Sequence, residues 1–306
     1  MISNSWAAIT LLAGLLAGQT SQPAATGPTV TTAPTTAPAT MPATMPTTVP
    51  ATVPTTVPAT TPTSMIAMAL DPVTNATLDK LEAAGKMYHT IVADINFGVE
   101  ELAFADVEIR TGQVSYEQGT PGKTPSRFRI HFSTVKQGVT GPKVADNVDY
   151  AFDGEWFTTR KEKIKELAKY QVAEPGKPVD ALKLGKGPFP VPFGQEKAEV
   201  LRRFIASSIP AAPTDPKGTV HLQLLPRDKS GQDMDIRKLD MWINAAGLPE
   251  KIVSEDARGQ KVTTVVFSKI DTTKPLAPEV FNLPSPTDRS WRIRIEPLRP
   301  NTQIQP

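Results

Sequence analysis

The sequence contains no cysteine among its 306 residues. A chain without cysteine cannot form disulfides, thiolate metal sites or a cysteine nucleophile, and it cannot carry a lipid on an N-terminal cysteine. Histidine is almost as scarce, because only His89, His131 and His221 are present, and none has acidic or histidine neighbours at metal-ligand spacing. The sequence therefore predicts neither a metal site nor a catalytic triad, and we expect no enzyme activity and no cofactor.

An excess of charge of one sign is also missing. The chain has 33 Lys and Arg residues against 31 Asp and Glu residues, a net charge of +2, and the two signs are mixed along its length. Only the segment from Arg289 to Arg299 is locally basic. A nucleic-acid-binding protein would concentrate basic residues on one face, so we expect no nucleic-acid partner.

The first 18 residues contain an apolar run from Trp6 to Gly18. A bilayer span needs about 20 apolar residues, so this run predicts a secretory signal peptide over residues 1–18 and a periplasmic or otherwise exported protein. The run has no preceding Lys or Arg, which a signal peptide normally has. An uncleaved N-terminal anchor that tethers the chain to the inner membrane is the alternative.

Residues 19–64 consist mostly of Thr, Pro and Ala, and proline recurs at every fourth position from Pro34 to Pro62. This composition offers no apolar face, and proline is excluded from helix and sheet interiors, so we expect an extended low-complexity spacer. It would act as a stalk for the domain that follows. The alternative is low-complexity sequence without a function of its own.

Residues 65–290 are predicted to fold, with residues 291–306 as a C-terminal tail. A first helix is predicted with Thr74 or Asn75 as its N-cap and with a break near Gly85. A second, amphipathic helix is predicted from Gln195 to Ser208. The intervening loop carries two phenylalanines that look exposed, Phe189 and Phe193.

The rest of the folded region reads as antiparallel strands joined by short turns. The alternation is clearest from Arg127 to Ser133, where Phe128, Ile130 and Phe132 point one way and polar residues the other. The predicted strand-joining turns are Thr111-Gly112, Asp153-Gly154, Asp228 to Gly231, Ala246-Gly247 and Asp256 to Gly259. The predicted fold class is α+β, one large curved antiparallel sheet covered by a few helices.

Four weak motifs occur in an order that resembles the LolA family of periplasmic lipoprotein carriers. They are Pro125 with Arg127-Phe128-Arg129, Asp153-Gly154 before Trp156-Phe157, Asp256 to Gly259, and Phe281-Asn282-Leu283-Pro284. The resemblance spans about residues 78–284 and implies an open half-barrel whose apolar face holds acyl chains. The cavity contacts that it suggests are Phe97, Val99, Phe128, Ile130, Phe132, Trp156, Leu222, Leu224, Met241 and Ile243.

The resemblance also implies a lid. The second helix would cover the mouth of the half-barrel through Leu201, Phe204 and Ile205. Carriers of this family usually have an arginine directly before the proline that corresponds to Pro125, where it helps to hold the lid closed. This chain has Thr124 at that position with Lys123 before it, so these two residues are the candidate lid contacts.

Two functions follow from the sequence. The first is a monomeric carrier or binder of lipoprotein or lipid acyl chains, which would exchange its ligand with membrane-bound donor and acceptor proteins. The second is a tethered structural or envelope-sensing module of the same fold that acts through a protein partner. An empty apolar cavity with a positively charged rim favours the first function. A filled core with an exposed patch near Phe189 and Phe193 favours the second.

Overall fold

Twelve strands form one sheet in the residues that the computed structural model describes, which are 70–120, 123–174, 193–227 and 235–298. The strands are β1 (Thr90–Glu101), β2 (Asp106–Glu117), β3 (Arg127–Gln137), β4 (Lys143–Phe152), β5 (Trp156–Lys161), β6 (Glu166–Gln171), β7 (Phe204–Ile209), β8 (Val220–Pro226), β9 (Ile236–Ile243), β10 (Pro249–Asp256), β11 (Lys261–Asp271) and β12 (Arg292–Glu296). The predicted signal peptide, the spacer, Phe189 and the turn from Asp228 to Gly231 lie outside the described residues.

The strand order across the sheet is β12-β6-β5-β4-β3-β2-β1-β11-β10-β9-β8-β7. All neighbouring strands are antiparallel except β12 and β6, which run parallel. The sheet has two free edges, so it is open rather than closed. The predicted α+β class with one large open sheet is confirmed. Strand β12 falls in the segment 291–306 that we assigned to a tail, and it extends the sheet by one strand.

The first helix, α1, covers Pro72–Met87. Its N-cap is Asp71, whose carboxylate accepts a hydrogen bond from the Thr74 backbone N–H at 2.8 Å, so the predicted caps Thr74 and Asn75 are wrong. Proline at the first helical position explains this start, since its missing N–H costs nothing there. The helix also continues through Gly85. A side chain at Gly85 would lie 2.9 Å from the Gly194 Cα atom, so the glycine permits close packing rather than a break.

The second helix, α2, covers only Lys197–Arg203, and the predicted continuation to Ser208 is wrong. From Phe204 the chain is strand β7, which pairs with β8 in a continuous register from Phe204 opposite Pro226 to Ile209 opposite His221. Phe204 is buried and Ile205 is exposed, which is the two-residue period of a strand. Apolar residues at 200, 201 and 204 also fit a helix, and pairing with β8 decides between the two periods.

Gly112 lies inside β2, so the predicted turn at Thr111-Gly112 is wrong. A Cβ atom at Gly112 would lie 1.8 Å from the His131 carbonyl oxygen, at a point where the register of β2 on β3 shifts. Glycine is required here by the close approach of two backbones at an irregularity in the ladder. The described turns at 153–154, 246–247 and 256–259 join strands as predicted.

No helix within the described ranges combines the length and the apolar composition of a bilayer span.

Candidate functional site

The apolar face of the sheet is the face that carries Phe128, Ile130 and Phe132. Most of the predicted cavity contacts meet there in one buried cluster, with Val99 partly buried at its margin. The buried members are Phe97, Phe128, Ile130, Phe132, Leu222, Leu224, Met241 and Ile243. The period-2 patterns therefore assign these residues to one side of the sheet.

Trp156 does not lie on this face. It is opposite Gln171 in the ladder, whereas the next residue, Phe157, is opposite Phe152 on the apolar face. The Trp156 indole N–H donates to the Glu155 carboxylate at 2.9 Å. The prediction was therefore one residue out of register, and in a strand an error of one residue selects the opposite face.

An aromatic row crosses the apolar face from β1 to β5. We define it as Phe97, Phe128, Phe132, Tyr150, Phe152 and Phe157. The ring centroids of Phe97 and Phe132 are 5.6 Å apart, those of Phe132 and Tyr150 6.2 Å, and those of Tyr150 and Phe157 6.5 Å. These spacings are in the range of favourable aromatic pairs. The sequence analysis missed Tyr150, Phe152 and Phe157, although the alternation Tyr150-Ala151-Phe152 indicated two of them.

Phe193 inserts into the apolar cluster instead of being exposed, as the sequence suggested. Its ring centroid lies 5.5 Å from that of Tyr116 on β2 and 5.5 Å from that of Phe267 on β11. The following Gly194 has a φ of +73°, which favours glycine and lets the chain turn towards α2. The residue that was expected to mark an exposed patch is thus part of the core.

In the part of the chain that the structure describes, side chains fill the apolar face and most of them are buried in one cluster. A cavity of about 10 Å³ remains beside α1, lined among others by Leu81, Ala84, Tyr116 and Phe193, and this is room for one water molecule. The main helix contacts run to β7 and β8. Helix α1 is about 24 Å long at 1.5 Å per residue. Twelve strands at about 4.8 Å spacing extend roughly 53 Å. The two helices thus cover only part of the face.

A polar latch holds α2 against α1. We define it as Lys197 with Asn75, Asp79 and Glu82. The Lys197 ammonium lies 2.6 Å from an Asp79 carboxylate oxygen and 2.7 Å from the Asn75 side-chain oxygen. The Lys197 backbone N–H donates to Glu82 at 3.0 Å. Hydrogen bonds from the Lys86 side chain and from the Lys197 backbone lower the pKa of Glu82, so Glu82 stays ionised in moderately acidic solution.

The residues that were predicted to form the lid and its contacts do not form one group in the structure. Leu201 lies on α2 and packs against the core, Phe204 is buried in β7, and Ile205 points to the solvent. Thr124 accepts a hydrogen bond from the Thr120 backbone N–H at 2.8 Å within its own turn. The hydrogen bonds and ion pairs of the described residues connect neither Lys123 nor Thr124 to α2. The latch residues were missed because no local pattern marks them.

A polar cleft of about 450 Å³ lies at the end of the sheet where β3 begins and the β4–β5 turn closes. Three of the four motifs that carry the family resemblance contribute to it, through Pro125, Gly154 and Asn282. Gly154 has a φ of +109°, and a Cβ atom there would lie 2.2 Å from the Pro125 side chain. The cleft also contains Lys123, Arg127, Asp153, Glu155, Glu174, Pro278 and Glu279.

The opposite face of the sheet is polar and internally paired. Arg127 binds Glu117 of β2 at 2.5 Å, and Arg129 binds Asp149 of β4 at 2.8 Å. Arg127 also lies over the Phe281 ring, 4.8 Å from its centroid. Within the described ranges, no group of three or more His, Asp or Glu residues could hold a metal ion.

No protein-family model matches this chain, and no curated protein matches it. Solved structures of similar fold include MucB, with 13% identity and a TM-score of 0.39. That similarity covers 70% of this chain and 64% of MucB, so the chain spans about two thirds of the length of MucB. MucB from Pseudomonas aeruginosa also occurs among the similar structures as a complex with MucA.

Two further similar structures are LprF from Mycobacterium bovis and a LolA superfamily protein from Nitrosomonas europaea. LprF has 11% identity and a TM-score of 0.38 over 71% of this chain and 99% of LprF. The LolA superfamily protein has 11% identity and a TM-score of 0.31 over 69% of this chain and 97% of its own length. The second of these two carries the name of the superfamily that the sequence resembles. Identities and scores this low describe a loose likeness of architecture, so the function must be inferred from the residues of this chain.

Proposed function

We propose that this chain is a non-catalytic binding protein of the cell envelope. It binds an apolar chain, such as the acyl chain of a lipid or lipoprotein, between the aromatic row and the side chains that pack against that row. The proposed location follows from the signal-like residues 1–18. The proposed partners are membrane-bound lipid or lipoprotein donors and acceptors, and the binding unit is a monomer.

The observation that carries the proposal is the aromatic row together with the small size of α1 and α2. The row spans β1 to β5, whereas the helix backbones approach β7 and β8 most closely and α1 reaches the β1–β2 side beside Ile91 and Tyr116. Phenylalanine side chains bind acyl chains without directional demands, and the charged groups beside Tyr150, which are Arg110, Glu108 and Asp146, are paired with one another.

The filled face requires that a ligand displace protein side chains. Phe193 and α2 are suited to this, because Phe193 enters the cluster from one side and the latch that holds α2 is polar and partly exposed. Burying one methylene contributes about 0.8 kcal/mol, so ten would contribute roughly 8 kcal/mol before the cost of association and of displacing these side chains. The net free energy of binding that remains after these costs is compatible with a ligand that exchanges.

The test is photo-crosslinking of the full chain with a diazirine-bearing fatty acid, followed by mass-spectrometric mapping of the labelled peptides. We expect adducts on the peptides of β3, β4 and β5, and competition by unlabelled fatty acid. Native mass spectrometry of the purified chain should find co-purified lipid. Adducts confined to residues 1–18, or to exposed turns, would contradict the proposal.

The second candidate is a structural or sensing module that acts through a protein partner. The filled apolar face favours it, but the exposed patch near Phe193 that was expected to accompany a filled core is not present, because Phe193 is buried. The polar cleft offers a surface of mixed charge for a polar protein segment. If the crosslinking finds no specific adducts on the apolar face and no lipid co-purifies, this second function is the one to pursue.

A further inference from the structure

Exposed apolar side chains collect at the end of the sheet opposite to the polar cleft. We define the apolar tips as Leu102 and Phe104, in the turn between β1 and β2, with Val139 and Val144, at the turn between β3 and β4. Phe104 is 80% exposed and Val139 is 70% exposed, and Leu102 and Val144 are about half exposed. Single exposed apolar residues are common on proteins, but four on two adjacent turns make a shared surface.

The two turns lie side by side at the same level. Glu108 of β2 is opposite Gln137 of β3 in the ladder, and the Gly138 N–H donates to the Val107 carbonyl at 2.6 Å. The first turn is also joined to the β10–β11 turn, because the Leu102 N–H donates to the Gln260 carbonyl at 2.9 Å. These hydrogen bonds fix the turn backbones, so the apolar side chains are presented by a rigid support.

The composition of the first turn is unusual for its exposure. Residues 102–105 are Leu, Ala, Phe and Ala, without any of the glycine, proline, asparagine or aspartate that normally build exposed turns. Ala105 adopts a φ of +49°, a region in which a side chain is disfavoured. Exposure to water does not favour Leu102 and Phe104 at these positions, so their presence indicates an apolar contact outside the molecule.

The charges beside the apolar tips indicate which contact this is. Lys136 and Lys143 stand directly opposite each other on β3 and β4, an arrangement of like charges that destabilises a hairpin. Neither lysine forms an ion pair within the described residues. The nearby acids Glu108 and Asp146 are each bound by Arg110 at 2.7 Å. Glu101 and Asp106 are opposite each other at the base of the first turn, where Glu101 is paired with Lys261 at 3.4 Å and Asp106 is exposed.

We propose that the apolar tips are a docking surface for an anionic lipid membrane. Leu102, Phe104 and Val139 enter the interface between head groups and acyl chains, and Lys136 and Lys143 approach the phosphates. This surface lies on turns outside the apolar face, so the proposal does not depend on the function proposed above. A second copy of this chain or another protein on the same surface are competing outcomes of the test.

The test uses the full chain and its lack of cysteine. A single cysteine introduced by Ala103→Cys is labelled with an environment-sensitive dye, and Ile164→Cys gives the matched control. Ile164 is also exposed and lies in the β5–β6 turn. Because Lys161 is opposite Val148 in the ladder, the β5–β6 turn does not reach as far along the sheet as the start of β4. It ends about four residues, or roughly 13 Å, short of that point. The reporter at 103 therefore senses the tips, and the reporter at 164 senses general proximity, including any caused by residues 1–18.

We expect vesicles of phosphatidylethanolamine and phosphatidylglycerol to raise and blue-shift the emission at position 103 but not at position 164. Phosphatidylcholine vesicles should give a smaller change. Adding Phe104→Ser should weaken the response at least tenfold in lipid concentration, as expected for losing the burial of one large side chain. Unchanged emission at 103, an equal change at 164, a response that survives Phe104→Ser, or a change that depends on protein concentration without vesicles would each overturn the proposal.

Discussion

The latch offers the sharpest test of whether α2 acts as a movable cover. Lys197→Ala removes the ammonium that lies 2.6 Å from Asp79 and 2.7 Å from Asn75. It keeps the backbone hydrogen bond to Glu82, and alanine is compatible with the first turn of a helix. The substitution therefore loosens the contact between the helices without removing any apolar side chain from the core.

The size of the effect follows from exposure. The Lys197 side chain is 22% exposed and that of Asp79 is 56% exposed, so the ion pair contributes about 0.5 kcal/mol, in the usual range for such pairs. The hydrogen bond to Asn75 contributes about 0.5–1 kcal/mol. The closed position of α2 should thus lose about 1–1.5 kcal/mol. Since 1.4 kcal/mol corresponds to tenfold, ligand release should become roughly five- to tenfold faster.

The assay is stopped-flow release of a fluorescent fatty acid into an excess of acceptor vesicles. Lys80→Ala is the matched control, because Lys80 is an exposed lysine on α1 that is not part of the latch, and the change in charge is identical. We expect Lys80→Ala to release the probe at the wild-type rate. If Lys197→Ala also releases it at that rate while its stability is unchanged, α2 does not gate the apolar face and the lid hypothesis fails.

Three further predictions follow from individual residues. Hydrogen bonds from Thr74 lower the pKa of Asp71 to about 2, so the helix cap is fully formed above the ordinary pKa of 3.8 and is lost as the pH falls from 3.8 towards 2. The difference in Tm between wild type and Asp71→Asn should therefore change between these pH values. A constant difference would argue against the cap. Gly154→Ala should lower the free energy of unfolding by about 2 kcal/mol or more, since it adds a clash with Pro125 to the strain at positive φ. Gly218 also has a positive φ, +78°, but no atom lies within 4 Å of an added Cβ. In denaturant titrations Gly218→Ala should therefore lose only the smaller free energy that comes from backbone strain. Phe157→Ala should cost about 3–4 kcal/mol and alter fatty-acid binding, because its ring is in the aromatic row, whereas Trp156→Ala on the opposite face should leave binding intact in the same fluorescence assay.

Strand patterns were predictable because the two-residue period is local. The alternation of Phe128, Ile130 and Phe132 with Arg127, Arg129 and His131 determines which side each residue faces. The partner of Arg129, which is Asp149, depends in addition on the register of β4 against β3. Because the pattern is local, it also explains why Trp156 was assigned to the wrong face of the sheet. Two adjacent aromatic residues give no local sign of which one faces inward, and the answer depends on Phe152 across the ladder.

The candidate cover was not predictable in the same way. The residues from Val200 to Ile205 satisfy both a helical and a strand period, and the chain changes from α2 to β7 at Phe204 because β8 is available to pair with it. The latch likewise joins Lys197 to Asn75 and Asp79, which are more than a hundred residues away. Contacts of this kind depend on the tertiary fold, and no spacing in the sequence reveals them.

The motifs that made the fold recognisable contribute Phe128 and Phe157 to the aromatic row, but several of their other residues have structural roles outside it. Gly154 is required by its turn and by Pro125, Arg127 is held between Glu117 and Phe281, and Asp256 accepts the backbone N–H groups of Gln260 and Lys261 in its turn. Each of these roles needs a specific residue type, which is why the motifs are visible in a sequence. The aromatic row needs only large apolar side chains of suitable shape, and many sequences supply them. The fold can therefore be recognised from a few positions that need one specific residue type. The identity of the ligand depends on positions that accept many apolar residues, so it has to be measured.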